Sequence, residues 1–546
     1  MRQVWVRLGG VLFYLGGAAL RLKDYNKVES AANLSRGEVG RLGTAILFIV
    51  AVIIYTGMKY SHLEQSYMLI AAAVIGAYMA MNIGANDVAN NVGPAVGSLA
   101  MSMTMAILIA AVFEAAGAIL AGGEVVSTVK KGIIDPADIG NPDVFVWVMM
   151  GALLGAAIWL NLATWLGAPV STTHSIVGGV MGAGIASSGW DIVNWDAMLL
   201  IASSWVISPV VGGLIAAFTL YMLKKSVFFK PDPIEAAKKV VPIMIGAMGF
   251  AFTSYIALKG IKHLVKISFP MALLLGLAAG VLIYLIAKPI IAKKAPYLTP
   301  DRDGVNRLFT IPLIFAAALL SFAHGANDVA NAVGPLAGIV DILSASDGDA
   351  EGAVKVAIPL WVMGIGAIGI SIGLALYGPK LIRTVGSEIT ELDRSRAFCI
   401  ALAAAITVIV ASQMGLPISS THVALGGVFG VGFLREFLEK RLGQVVETVI
   451  QSHQGEADFE EVEQVLYAFR NAPPEDKKRI LDELKKMGSQ ACITAAQRKE
   501  LSKALKRQLV KRSSLLKIVS AWIITVPVSA GMAAIFYFAL RGMMLP

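Results

Sequence analysis

Apolar residues dominate this chain in long runs, near 42 to 58, 67 to 83, 104 to 122, 144 to 165, 198 to 222, 240 to 258, 269 to 290, 310 to 323, 357 to 377, 396 to 413 and 515 to 540. A helix needs about 17 to 25 such residues to cross the hydrocarbon core of a bilayer. These runs therefore predict membrane spans joined by short polar loops, and several are followed by shorter apolar stretches that read as half-spans. One polar segment breaks the pattern. Residues 435 to 514 contain FEEVEQVLYAF and KKRILDELKKM, whose apolar positions recur at helical spacing beside charged faces. They predict a small cytoplasmic helical module, with Pro473 and Pro474 separating its helices.

Composition agrees with the pattern. Of 546 residues, 56% are hydrophobic and 15% charged, whereas soluble domains carry about 25% charged residues. The net charge of +9 sits in short loops between apolar spans, where it acts as a topology signal rather than as a nucleic-acid surface. The two cysteines, Cys399 and Cys492, cannot build a disulfide framework, and nothing suggests a covalent cofactor. Residues 4 to 20 are apolar apart from Arg7, with no small-residue cleavage site and with Arg21, Lys23 and Lys27 following. They predict an extra helix rather than a removed signal peptide. The GxxxxGK[ST] phosphate loop does not occur, which points to an ion gradient rather than ATP as the energy source.

The chain repeats itself. GANDVANNVGP at 84 to 94 and GANDVANAVGP at 325 to 335 agree at ten of eleven positions, an offset of 241 (325 − 84). APVSTTHSIVGGVMGAG at 168 to 184 and LPISSTHVALGGVFGVG at 416 to 432 follow in the same order, at an offset of 248 (416 − 168). Lys and Arg favour cytoplasmic loops. The basic segments 1 to 41, 224 to 239 and 293 to 307 are therefore placed inside, and the acidic segments 123 to 143 and 341 to 356 outside. Loop 259 to 268, with Lys259, Lys262 and Lys266, falls outside against its charge. Threading the chain between these points makes the two motif-bearing spans run in opposite directions. The expected architecture is an all-α polytopic membrane protein of two inverted-topology repeats, with broken helices and helical hairpins, plus a small soluble helical insertion. The boundaries follow: an N-terminal segment 1 to 41, a first repeat 42 to 222, linking loops and two spans over 223 to 308, a second repeat 309 to 434, the module 435 to 514 and a final helix 515 to 546.

Ionisable residues at membrane depth are costly and mark function. Asp87 and Asp328 are such residues. With Asn86, Asn90, Asn327 and Asn331 they supply hard oxygens for a small cation, Asp87 and Asp328 being the candidate metal ligands. Interhelical hydrogen bonding is the competing reading. Gly84, Gly93 and Pro94, like Gly325, Gly334 and Pro335, are expected to loosen or end the helix and free carbonyls. In the second motif, Pro followed by Ser171, Thr172 and Thr173, or by Ser419, Ser420 and Thr421, reads as a helix start with hydroxyl caps. Such an N-terminus offers free N–H groups and the positive dipole end to an anion. Neither motif contains Lys or Arg, so an anion bound here needs a cation beside it. His174, His422 and His324 are either proton relays or neutral cross-helix partners. Glu114 lies alone inside its span; aligning Gly117, Ala118 and Ile119 with Gly366, Ala367 and Ile368 places Met363 opposite it. Its candidate roles are proton site, cation ligand or gate.

The two GANDVAN motifs with PVSTTH and PISSTH resemble the inorganic phosphate transporter family over about residues 42 to 434 and the last span. That resemblance implies import of inorganic phosphate coupled to sodium or to protons, or carriage of a metal-phosphate complex. It implies Asn86, Asp87, Asn327 and Asp328 at the cation and substrate site, and Ser171, Thr172, Thr173, Ser419, Ser420 and Thr421 around phosphate. It also implies a homodimer in the inner membrane. The chain departs from a strict repeat at Asn91, where the second motif has Ala332. Two alternatives remain: a carrier of another tetrahedral oxyanion such as sulfate, and a membrane enzyme acting on phosphorylated lipid.

Overall fold

The computed structural model describes residues 39–260, 267–299, 301–345, 358–388, 392–438, 441–454, 459–472, 493–505 and 512–544, with isolated positions between 480 and 487. The expected helix at 4 to 20, Lys262 and Lys266 of the exceptional loop, the acidic stretch from 346 to 356 and Cys492 lie outside the described residues. Every regular element among those described is a helix, and eleven are long and apolar enough to cross a membrane. Each coincides with one of the eleven apolar runs. This is a polytopic helical membrane fold.

After α1 (Val39–Lys59), α2 (Ser66–Gly97) carries the first GAND motif, and a short turn leads to α3 (Met103–Ala121), which starts where Ser102 accepts from the Met105 N–H. The segments α4 (Gly123–Lys131) and α5 (Pro136–Ile139) precede a hairpin of α6 (Pro142–Leu166) and α7 (Thr172–Ser188). Asn141 caps α6 with Pro142 in its first turn, and Gly167 ends it at φ +74°, a left-handed conformation glycine adopts without strain. Then come α8 (Trp195–Leu223), α9 (Pro233–Tyr255) and α10 (Phe269–Lys294).

The second half follows the same order. After the short α11 (Arg302–Leu308) come α12 (Thr310–Asp328) and α13 (Ala330–Ala345), which carry the second GAND motif, then α14 (Leu360–Glu388) and a hairpin of α15 (Arg394–Gln413) and α16 (Ser420–Leu438). The module comprises α17 (Arg441–Ser452), α18 (Phe459–Asn471) and α19 (Ala495–Leu505) around its own small core of Val446, Val462, Leu466 and Phe469. The last helix is α20 (Arg512–Met544).

The halves exchange helices. α2 packs on α14 and α3 on α12, while α7 packs on α20 and α16 on α8. Glycine makes these contacts possible: a Cβ on Gly84 would come 2.0 Å from the Ile370 carbonyl oxygen, and one on Gly325 would come 2.0 Å from that of Glu114. The reciprocal pairs are Gly373 against the Met81 carbonyl and Gly117 against that of Phe322. Along α14, Gly369, Gly373 and Gly378 meet Ala80, Met81 and Val88 in turn, so α2 and α14 run parallel. In the hairpins, Gly178 and Gly182 abut Val526 and Ala530, whereas Gly426 and Gly430 abut Pro209 and Gly213. Those contacts put α20 in the place that α8 holds in the other half, with the polar module inserted before it.

Two expectations need correction. The first motif does not break its helix: α2 runs through Gly84 and Gly93, with Pro94 inside it. Pro94 lies in the last turn, where its missing N–H costs only the bond to the Asn90 carbonyl. Only the second copy is interrupted, at Val329 between α12 and α13, and there Pro335 removes the bond to the Asn331 carbonyl. The expected partner of Glu114 is also shifted. The matched carbonyl contacts of Glu114 and Ile370 give α3 and α14 an offset of 256 (370 − 114), so Ile370 rather than Met363 stands opposite. The single glycine of α3, Gly117, can be aligned with either Gly366 or Gly373 of α14 in sequence, and interhelical contact selects Gly373.

Candidate functional site

The turn ahead of each hairpin's second helix is tied to a motif asparagine. Asn86 Nδ2 donates to Thr164 Oγ1 at 3.0 Å and to the Ala168 carbonyl at 3.4 Å, and its Oδ1 accepts from the Val170 N–H at 3.2 Å. Asn327 Nδ2 donates to Ser412 Oγ at 3.0 Å and to the Leu416 carbonyl at 3.1 Å. Thr164 and Ser412 differ by 248 (412 − 164), the offset of the hairpin repeat. Both asparagines thus position the turns. Sequence reasoning did not single out Thr164 and Ser412; their signal is a hydroxyl repeated at the motif offset.

From there α7 and α16 start with their N-termini against the two aspartates. The first hydroxyl of each triplet is a cap: Ser171 Oγ accepts from the His174 N–H at 3.1 Å, and Ser419 Oγ from the His422 N–H at 3.2 Å. The second hydroxyls reach the carboxylates. Thr172 Oγ1 lies 2.7 Å from Asp87 Oδ2 and 3.3 Å from Asp328 Oδ2, and Ser420 Oγ donates to Asp328 Oδ2 at 3.0 Å. The third hydroxyls differ. Thr421 Oγ1 lies 3.2 Å from Asp87 Oδ1, whereas Thr173 Oγ1 donates to the Ile418 carbonyl at 3.0 Å. Asn90 Nδ2 donates to Thr421 Oγ1 at 2.8 Å, and Asn331 Nδ2 approaches Thr172 and Thr173 at 3.3 and 3.2 Å. All twelve expected site residues are buried, and eight of them, Asp87, Asn90, Thr172, Thr173, Asp328, Asn331, Ser420 and Thr421, form one connected network.

A chain of polar groups enters this network from the side. Glu114 is fully buried; its Oε1 accepts from Asn91 Nδ2 at 2.8 Å and its Oε2 faces His324 Nδ1 at 3.3 Å. The other face of the ring presents Nε2 to Asp328 Oδ2 at 3.0 Å and to Asp87 Oδ2 at 3.5 Å. Donor atoms of Asp87, His324 and Asp328 lie within 4.8 Å of one another, close enough to share an ion. The structure therefore joins Glu114 to the site, and adds Asn91 as its partner.

His174 and His422 sit elsewhere. Their rings meet edge to face at 4.3 Å, and each lies against a tryptophan, Trp205 at 3.8 Å and Trp522 at 3.6 Å. Both ring nitrogens of His174 lack a hydrogen-bond partner among the described residues, so for His174 the cross-helix hydrogen bond does not hold. Trp205 and Trp522 were also missed from sequence, although each is followed closely by a proline, Pro209 or Pro527, inside its span.

Comparison with known proteins fits this arrangement. The chain matches the model of the phosphate transporter family over residues 83–533. A Helicobacter pylori (strain J99) protein with a provisional phosphate-permease name is 49% identical, over 95% of this chain and 99% of its own. A similarly named Pyrococcus abyssi (strain GE5) protein is 42% identical over 68% of this chain and 90% of its own. A solved structure of a sodium-dependent phosphate transporter superposes with a TM-score of 0.70 at 32% identity, covering 88% of this chain and all of that one. With eleven apolar helices, a buried network of carboxylates and hydroxyls and these likenesses, the chain is a multi-pass membrane protein that belongs to the phosphate transporter family, a transporter and not an enzyme.

Proposed function

We propose that this chain imports inorganic phosphate by symport with a cation, and that sodium is the cation. The observation that carries this reading is the Thr172 hydroxyl, which touches Asp87 and Asp328 at once while standing at the N-terminus of α7. Groups that hold the cation and groups that hold the anion are then the same or adjacent. A bound cation stabilises the anion's position, and by reciprocity phosphate raises cation affinity.

The chemistry of the site supports both ligands. Helix starts leave their first N–H groups without intrahelical partners. With the His174 and His422 amides capped by Ser171 and Ser419, the amides of Thr172, Thr173, Ser420 and Thr421 remain for tetrahedral oxygens. On the cation side, Asn327 Oδ1, Asp328 Oδ1 and Asn331 Oδ1 are buried without a hydrogen-bond partner among the described residues. These oxygens suit a hard monovalent ion. The sodium dependence of the solved relative favours sodium over the proton.

The packing also supports alternating access. α2 runs parallel to α14, and α3 follows α2 through a turn of five residues, 98–102. If α3 and α14 are equivalent, α2 and α12 point opposite ways, as an inverted repeat requires. Placement in the inner membrane and a homodimeric assembly complete the reading and rest on the family resemblance alone.

The decisive experiment uses purified protein in liposomes. Labelled phosphate accumulates with an inward sodium gradient, stops when choline replaces sodium at fixed pH, and persists with a protonophore. Accumulation that ignores sodium but collapses with the protonophore would instead make the proton, or a metal-phosphate complex moving with it, the coupling species. Equal competition by sulfate would move the substrate to another oxyanion.

A further inference from the structure

α3 and α14 correspond at an offset of 256 (370 − 114), and the match continues past the end of α3: Gly122, Thr128 and Val129 correspond to Gly378, Thr384 and Val385. α14 runs through this stretch to Glu388 without a break, whereas α3 stops before Gly122 and α4 follows as a separate helix. A Cβ on Gly122 would come 2.6 Å from Val329 Cγ1, at the point where α12 and α13 part. From there α4 follows α13. A Cβ on Gly334 would meet the Val129 side chain at 2.8 Å, and one on Gly338 would lie 3.7 Å from Lys130 Cγ. Val125, Val126 and Val129 are fully buried. α4 thus lies along the helix that carries Asn331, at the end which the charge pattern places outside.

Two polar contacts fasten it there. Thr128 Oγ1 donates to the Gly415 carbonyl at 2.7 Å, and Gly415, at φ +68°, belongs to the turn that leads into Ser419, Ser420 and Thr421. Lys130 pairs with Asp341 near the end of α13. Lys130 is 7% exposed and is the one buried lysine among the described residues. A buried ion pair gives little net stability over apolar packing, yet removing one partner is strongly unfavourable. Such a contact suits two positions, joined or fully parted into water. At the other hairpin the corresponding contact lies in the open: Lys380, in the stretch of α14 that matches α4, donates to the Trp165 carbonyl at 2.8 Å, and both residues are exposed.

We propose that α4 is the outer gate of this transporter, with Thr128, Lys130 and Asp341 as its positioning residues. While both contacts hold, α4 closes the outer approach to the hydroxyls at the start of α16, and phosphate enters from that side only after both part. On opening, Lys130 and Asp341 regain water, which offsets the lost pair and keeps the two positions close in free energy. The gate is one-sided, because only the first half carries the break at Gly122 that makes α4 a separate helix. The inference goes beyond the symport reading, which needs access from both sides but assigns no residue to it.

Two measurements test it in a Cys492→Ser background, where Cys399 is buried. In the first, Val129→Cys places a thiol beneath α4, and its labelling by an impermeant maleimide is followed on intact cells. Labelling is expected to be slow, at least ten-fold faster when Asp341→Asn is added and at least three-fold faster with Thr128→Val. It is expected to be slow again in the charge-swapped pair Lys130→Asp with Asp341→Lys, a recovery that general loosening would not produce. Equal rates throughout, or labelling only after permeabilisation, would overturn the proposal. Should the swapped pair not fold, Thr128→Val and Asp341→Asn decide. In the second, Lys130→Cys and Asp341→Cys are joined in liposomes by a short bifunctional thiol reagent that a reductant cleaves. Joining is expected to lower phosphate uptake at least ten-fold and the reductant to restore it, which a folding defect would not allow; uptake at the unjoined rate in joined protein refutes the gate. Wild-type protein that takes up no phosphate in liposomes would sink the symport reading, and the labelling pattern would then decide the gate by itself.

Discussion

Thr172 and Asp87 lie 85 residues apart in sequence, yet the threonine hydroxyl meets the carboxylate at 2.7 Å. The bond joins the start of α7 to the middle of α2, and the same hydroxyl reaches Asp328 of the other half at 3.3 Å. Thr172→Ser should therefore retain uptake within about three-fold. Thr172→Val keeps the shape without the donor and should raise phosphate KM at least ten-fold, equivalent to about 1.4 kcal/mol. Phosphate uptake at saturating sodium measures both, and a valine variant with wild-type KM would remove the hydroxyl from the site.

Helix contact in the membrane rests here on glycine. A Cβ on Gly325 would lie 2.0 Å from the Glu114 carbonyl, an encounter with backbone that no rotamer relieves. Gly325→Ala should destabilise by about 1–3 kcal/mol through overpacking. Gly364→Ala in α14 meets nothing within 4 Å and should be neutral or stabilising by up to about 1 kcal/mol, because alanine is the better helix former. Unfolding in detergent compares the pair, and equal Tm values would show that the close approach does not exist.

At the start of α15, Asp393 caps the helix by accepting from the Arg396 N–H at 2.9 Å, and it pairs with Arg302 at 2.9 Å and Arg396 at 3.0 Å. Burial alone would raise its carboxyl, but the Arg396 and Arg302 guanidiniums, the Arg396 amide and the Ser395 hydroxyl outweigh burial and hold it below the ordinary value. A depressed folded value means that the stability it contributes is present above the unfolded pKa, about 3.9, and is lost as pH falls through the folded one. Asp393→Asn keeps the cap acceptor and removes the charge. It should lower Tm at pH 7 and flatten the fall in Tm between about pH 5 and 3, relative to the parent protein. A Tm profile parallel to that of the parent would disprove the linkage.

Asp138 and Asp303 are both exposed, on segments that the charge pattern assigns to opposite sides of the membrane. In a Cys492→Ser background, where Cys399 is buried, Asp138→Cys should react with an impermeant maleimide on intact cells. Asp303→Cys should react only after permeabilisation. Labelling of both from one side would contradict the opposed orientation of the halves.

Much of this protein was legible from sequence because the bilayer is a demanding solvent. Every span must be apolar and about 20 residues long, so the eleven runs could be read off directly, and Asp87, Asp328 and Glu114 stood out as costly exceptions. The duplicated motifs, the helix starts at Ser171 and Ser419 and the separate module were visible for equally local reasons. What the sequence could not decide was register and partnership. Glycines at several spacings let α3 align with α14 in more than one way, and only the contacts of Gly117 and Gly373 with opposing carbonyls fixed the offset that sets Glu114 against Ile370. Likewise, near-identical motifs gave no sign that Asn327, Asp328 and Asn331 keep oxygens which Asn86 and Asp87 have committed. A side chain's hydrogen bonds depend on which backbone groups arrive beside it. That is settled when α2, α7, α12 and α16 meet, not by the residues that precede and follow it.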